Sequence, residues 1–156
     1  MVKKILPVIV AVLLLVLLIF GYLQKDNLNR YISGAMQQQA SAETKLSVDE
    51  QIYSKYNYQQ NNLDFNFTLL EFGSTGCTMC KQMEPILEEV RNSKKTKVNV
   101  VFMHIMKPEN LPWMKYYGIS AVPMQVLLDK QGKEFFRHYG VISAEELAKK
   151  FLSSKK

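Results

Sequence analysis

The sequence predicts an α/β domain with a mixed central sheet flanked by helices, preceded by one N-terminal transmembrane helix. Three observations point there. Strand-like and helix-like apolar patterns alternate over the last hundred or so residues of the 156-residue chain and end in a hairpin pattern. An uncharged run fills the N-terminus. The only two cysteines, Cys77 and Cys80, stand between an apolar strand pattern and a helical one.

Residues 1–4 read as a short cytoplasmic segment carrying Lys3 and Lys4. Ile5 to Leu23 is nineteen positions without a charge. At helical rise that is about 28 Å, close to the hydrocarbon thickness of a bilayer. Pro7 falls in the first turns, where proline is tolerated. A cleaved signal peptide is the rival, but the run exceeds a typical signal core. Ala40-Ser41-Ala42 lies well beyond it, so an uncleaved anchor is expected. The two lysines ahead of the run favour a cytoplasmic N-terminus, although Lys25 and Arg30 weaken the asymmetry. That orientation makes the chain a single-pass protein of the cell membrane with its C-terminal domain outside the cytoplasm.

Residues 24–46 are polar and lack sustained apolar periodicity, which reads as a stalk or linker, with helical continuation of the anchor as the alternative. Residues 47–156 then form one domain, long enough for a single core. Ser47-Val48-Asp49-Glu50 has capping-box spacing and predicts a helix to about Tyr58, broken at Asn61-Asn62. Phe67 to Phe72 reads as a buried strand, and Gly73-Ser74-Thr75-Gly76 as a turn. Met79, Met83, Ile86, Leu87 and Val90 recur at helical spacing from Cys77 onward. Residues 98–105 predict a second strand and 109–117 a short helix with Pro112 near its start. Residues 124–129, 130–133 and 134–137 read as strand, turn and strand. Ser143-Ala144-Glu145-Glu146 is a second capping box, behind which Leu147, Phe151 and Leu152 form a stripe that should pack on the sheet.

The chemistry rests on the cysteine pair. Cys77 would sit at the first turn of a helix, where unpaired N–H groups and the helix dipole favour a thiolate. A thiolate is both the nucleophile and a good leaving group in disulfide exchange. Cys80, one turn on, is close enough to close a disulfide. A structural disulfide stabilises mainly by closing a long loop, and this one closes almost none. A zinc site needs about four ligands, and His104 and His138 add only two distant ones, so no metal is expected. The net charge of +6 is spread over dispersed lysines without aromatic interleaving, which gives no nucleic-acid motif.

Beyond the cysteines, Leu69-Leu70-Glu71-Phe72, Lys81, Pro85, the segment Tyr117 to Pro123 and Gly140 resemble the thioredoxin superfamily from about Ser47 onward. The resemblance implies a thioredoxin-like fold and a thiol-disulfide oxidoreductase with no cofactor besides the Cys77–Cys80 disulfide. It implies that Cys77 attacks, Cys80 resolves, and Glu71 takes the place of the buried acid as general base. Val122-Pro123 takes the place of the cis-proline pair. With Gly76, Thr78 and Met79 it would form the substrate-binding surface. His104, counted back from Pro123, matches the place of the lysine that pairs with the acid and is a candidate proton relay or ion-pair partner of Glu71. The family usually has Trp before the first cysteine and Gly-Pro between the two. Here Gly76 and Thr78-Met79 stand instead, so the potential does not carry over. The expected partners are protein thiols or disulfides and a membrane electron-relay protein, with the domain monomeric. A thioredoxin-fold binding or assembly module without turnover is the alternative.

Overall fold

The computed structural model describes residues 2–154, apart from the side chains of residues 2–6, 8, 22, 25 and 26. Of the expected N-terminal segment 1–4, Met1 lies outside the described residues, as do the side chains of residues 2–4 and several of the expected span 5–23. The first helix, α1, covers Val2–Leu23. Its apolar side chains from Leu13 to Phe20 are exposed. Among the described residues no helix is long and apolar enough to cross a membrane.

The polar segment that follows is helical, α2 over Lys25–Gln38, and it lies against the domain. Ser33 is 2% exposed. A Cβ at Gly118 would collide with the Ser33 carbonyl, and Gly118 itself has φ of +62°. Only glycine meets both demands at once. The next helix, α3, spans Ala42–Tyr56 and corrects the expected start at Ser47. Ser41 caps it, its hydroxyl accepting from the Thr44 N–H at 3.1 Å. The pattern at Ser47–Glu50 matches a cap in sequence, but the chain is already helical there and offers no free N–H groups. A short helix α4, Tyr58–Asn61, ends at Asn62 in the left-handed conformation.

Four strands form one mixed sheet in the order β2-β1-β3-β4: β1 Phe67–Gly73, β2 Val98–His104, β3 Met124–Leu128 and β4 Glu134–Tyr139. β1 runs parallel to β2 and antiparallel to β3, and β3 pairs antiparallel with β4. Every residue of β1 is buried, because helices cover both faces. Leu70, Phe72, Met103 and Val126 pack one way, against α3 and α6, which is Leu111–Tyr117 after a 3-10 turn at Pro108–Asn110. Phe67, Leu69, Leu127 and Val98 pack the other way, against α5, Thr78–Asn92, and α7, Ala144–Ser153. α7 has the expected capping box at Ser143 and Glu146. Leu147 and Phe151 are fully buried as expected, but Leu152 is exposed, since one residue past Phe151 turns it about 100° away from the sheet.

Candidate active site

β1 leads through the turn at residues 74–76 into α5, and Cys77 is the N-cap of that helix. Its Sγ accepts the Cys80 N–H at 3.1 Å. The two cysteines form a disulfide with their Cα atoms 5.2 Å apart. Cys77 is half-buried and Cys80 is 3% exposed. Cys77 is therefore the more accessible of the two sulfurs from solvent. Once the bond opens, a Cys77 thiolate keeps the helix N–H groups as its donors, which favours it over a thiolate at Cys80.

Glu71 lies below, in the middle of β1. It shares a sheet face with Leu69 and Gly73, the face that α5 covers. A Cβ on Gly73 would stand 3.5 Å from the Cys80 Cβ, so Glu71, two residues back along the strand, is beneath the disulfide by about 7 Å of strand rise. Glu71 is fully buried, and neither carboxyl oxygen has a hydrogen-bond partner. Desolvation pushes its pKa from 4.5 up to about 8. The Gln125 amide, in register across β1–β3, favours the ionised form and offsets only part of this. Its Nε2 donates instead to the Gly140 carbonyl at 3.2 Å.

The Val122–Pro123 peptide is cis. The Pro123 carbonyl accepts the Gly140 N–H at 2.9 Å, tying this loop to the end of β4. Met79, 40% exposed, reaches the same place: a Cβ on Gly140 would be 3.6 Å from its Cε. Cys77, Met79 and the Pro123 loop thus border one surface, with Gly76 and Thr78 exposed at its rim.

A family model for the thioredoxin-like domain matches residues 52–154, which is 103 of 156 residues. The chain belongs to the thioredoxin-like domain family. It is 35% identical over 66 residues to a thioredoxin of Rickettsia felis, covering 42% of this chain and 60% of that one. It is 24% identical over 92 residues to a chloroplastic thioredoxin-like protein of Arabidopsis thaliana, covering 57% of this chain and 34% of that protein. The chain thus spans less than two thirds of the length of these curated relatives. Among solved structures it resembles a thioredoxin of Nicotiana alata with a TM-score of 0.52 at 25% identity, over 73% of this chain and 87% of that one. It also resembles the exposed lipoprotein thioredoxin Etrx1 of Streptococcus pneumoniae, TM-score 0.52 at 15% identity, over 59% of this chain and 87% of that one.

Of the two roles expected for His104, ion-pair partner of Glu71 or proton relay, no ion pair with Glu71 is formed. The β2 residue in register with Glu71 is Phe102, whereas His104 pairs with Gly73, two residues further on. The His104 Nδ1 accepts the Met106 N–H at 3.2 Å, and its carbonyl accepts from Asn110 Nδ2 at 3.0 Å. Sequence reasoning also missed Gln125. A polar residue inside the apolar run Met124–Leu128 was the available signal. Phe102 carried none, since a phenylalanine in an apolar strand reads as core.

The buried carboxyl has a stability signature. Between pH 4.5 and about 8 the unfolded chain ionises Glu71 while the folded one keeps it protonated, so stability falls as pH rises through that window. Relative to wild type, oxidised Glu71→Gln should gain on the order of 3 kcal/mol between pH 4 and pH 7. Denaturant midpoints of the full chain in detergent check this, and a pH-independent difference would show that the carboxyl is not held neutral.

Proposed function

We propose that this protein is a membrane-anchored thiol-disulfide oxidoreductase that acts on exported proteins or relays electrons to another redox protein. The observation that carries this reading is the Cys77–Cys80 disulfide at the N-terminus of α5, directly above a buried carboxyl without partners. In the reducing direction the Cys77 thiolate attacks a client disulfide. One client sulfur joins Cys77 Sγ and the other leaves as a thiolate. Cys80 then gives its proton to the Glu71 carboxylate and attacks Cys77 Sγ. The Cys77–Cys80 disulfide closes and the second client sulfur departs, so two electrons have passed to the client. Oxidation of a client dithiol is the same path reversed. The partner that resets the pair sets the direction.

Gly76, Thr78, Met79, Val122 and Pro123 border the surface a client would meet. Two features support catalysis over passive binding. One is the nucleophile's exposure beside a buried resolving thiol. The other is an ionisable group beneath the pair, which a passive binding module has no use for.

The anchor rests on the uncharged run Ile5–Leu23 behind Lys3 and Lys4. In this reading the domain faces the extracytoplasmic side. There an oxidising environment makes a dedicated redox partner necessary.

Cys80→Ser leaves Cys77 able to attack but removes the thiol that resolves the adduct. Reductant-sensitive covalent adducts should accumulate on the variant and not on wild type, as seen on non-reducing gels. If none form while the wild-type protein reduces a model disulfide at its normal rate, client attack through Cys77 is wrong. If wild type exchanges nothing, a binding module takes its place. For topology, a membrane-impermeant thiol reagent applied to intact cells after mild reduction should label Cys77. Labelling only after lysis would reverse the orientation, and a mature N-terminus near Glu43 would replace the anchor with a cleaved leader.

A further inference from the structure

Phe102 is out of place for an apolar side chain. It lies on the sheet face that α5 covers, in register with Glu71, yet it is 45% exposed. β2 is an edge strand, so nothing in the sheet flanks Phe102 on its outer side. Its ring leans inward over β1. A Cβ at Gly73 would be 2.8 Å from one ring carbon and 3.1 Å from another. The ring therefore occupies the space that any side chain at residue 73 would need, next to the Cys80 Cβ. His104 meets it edge-on, ring centroids 6.2 Å apart at 79°.

We infer that Phe102 is a positioning residue for the dithiol chemistry: its ring closes the open side of the Glu71 slot, keeping water and countercharge from the carboxyl beneath Cys80. This rests on the oxidoreductase reading above.

The surroundings of Glu71 leave the role to Phe102. On its own strand the same-face neighbours are Leu69 and Gly73. β3 offers Gln125, which is uncharged, and beyond it β4 offers His138 in register with Gln125, one strand further away. From α5 the buried residues are Cys80, Met83, Leu87 and Val90, none of them charged while Cys80 is held in the disulfide. α7 contributes Leu147 and Phe151 to the same core. On β2 the titratable group is His104, which lies beside Gly73, its Nδ1 committed to the Met106 N–H. No cation faces the carboxyl from any element among the described residues. Phe102 is the most exposed of these neighbours, and its ring stands over Gly73 beside Glu71 on the β2 side. Glu71 ionises only late under these conditions, in line with its elevated pKa of about 8.

Because Phe102 is half exposed, its replacement should leave the fold intact. The test uses the full chain in detergent, oxidised, with the Glu71 carboxyl followed by isotope-edited infrared titration, and in parallel the pH profile of exchange with a model disulfide. Phe102→Lys should make Glu71 lose its proton at least tenfold more readily, moving the infrared midpoint down by a pH unit or more. Phe102→Ala should move it the same way by less, through hydration, and Phe102→Leu should restore most of the wild-type midpoint. The exchange profile should shift with each midpoint. An unchanged infrared midpoint in both Phe102→Lys and Phe102→Ala would overturn the inference. If the infrared midpoints shift while wild type shows no exchange at any pH, the control by Phe102 stands and the oxidoreductase reading fails.

Discussion

The site depends on a carboxyl placed where a protein interior opposes charge. Glu71 occupies the centre of a strand buried along its whole length, with no hydrogen bond to either oxygen. Leaving such a group ionised there would cost several kcal/mol, so the fold holds it neutral. The cost is tolerated because the strand delivers the carboxyl beneath Cys80 and nowhere else. A β1 register slip of one residue would turn Glu71 toward the α3 and α6 face and bring Leu70 under the disulfide. The hydrophobic surroundings fix that register: Leu69 and Leu127 on one face, Leu70 and Val126 on the other, each paired across β1–β3.

From this constraint the division of labour between the two thiols follows. The helix that covers Glu71 begins at Cys77, so its free N–H groups and dipole act on Cys77, while its first turn buries Cys80 over the sheet. One cysteine is half-buried at the helix start and favoured as a thiolate; the other is enclosed. In the proposed mechanism the ionised fraction of Glu71 is the base for Cys80. The Pro123 loop and Met79 complete the rim, joined through Gly140, whose N–H binds the Pro123 carbonyl.

Much of this was legible in the sequence, because the signals are local. An apolar run, a glycine-containing turn and a helical stripe bracket Cys77 and Cys80, and each corresponds to the element expected. Ser143 and Glu146 form the capping box their spacing implies. Where local patterns mislead, competition explains the error. Ser47–Glu50 imitates a cap, but Ser41 caps the same helix earlier and leaves Ser47 in its interior. The neighbours of Glu71 were not legible, since they depend on how three strands align. His104 and Phe102 are two residues apart in sequence, and only the β1–β2 register decides which faces the carboxyl. The packing of α2 was hidden for a similar reason. A polar helix with few apolar residues gives little sign that the Ser33 backbone seats on Gly118.

The central claim is that helix position and burial assign the nucleophile to Cys77 and the resolving role to Cys80. Mass-spectrometric mapping of limited alkylation in the fully reduced full-length protein, near neutral pH, tests it most directly. Cys77 should be modified first, with Cys80 following only as Cys77 saturates; modification of Cys80 ahead of Cys77 would contradict it.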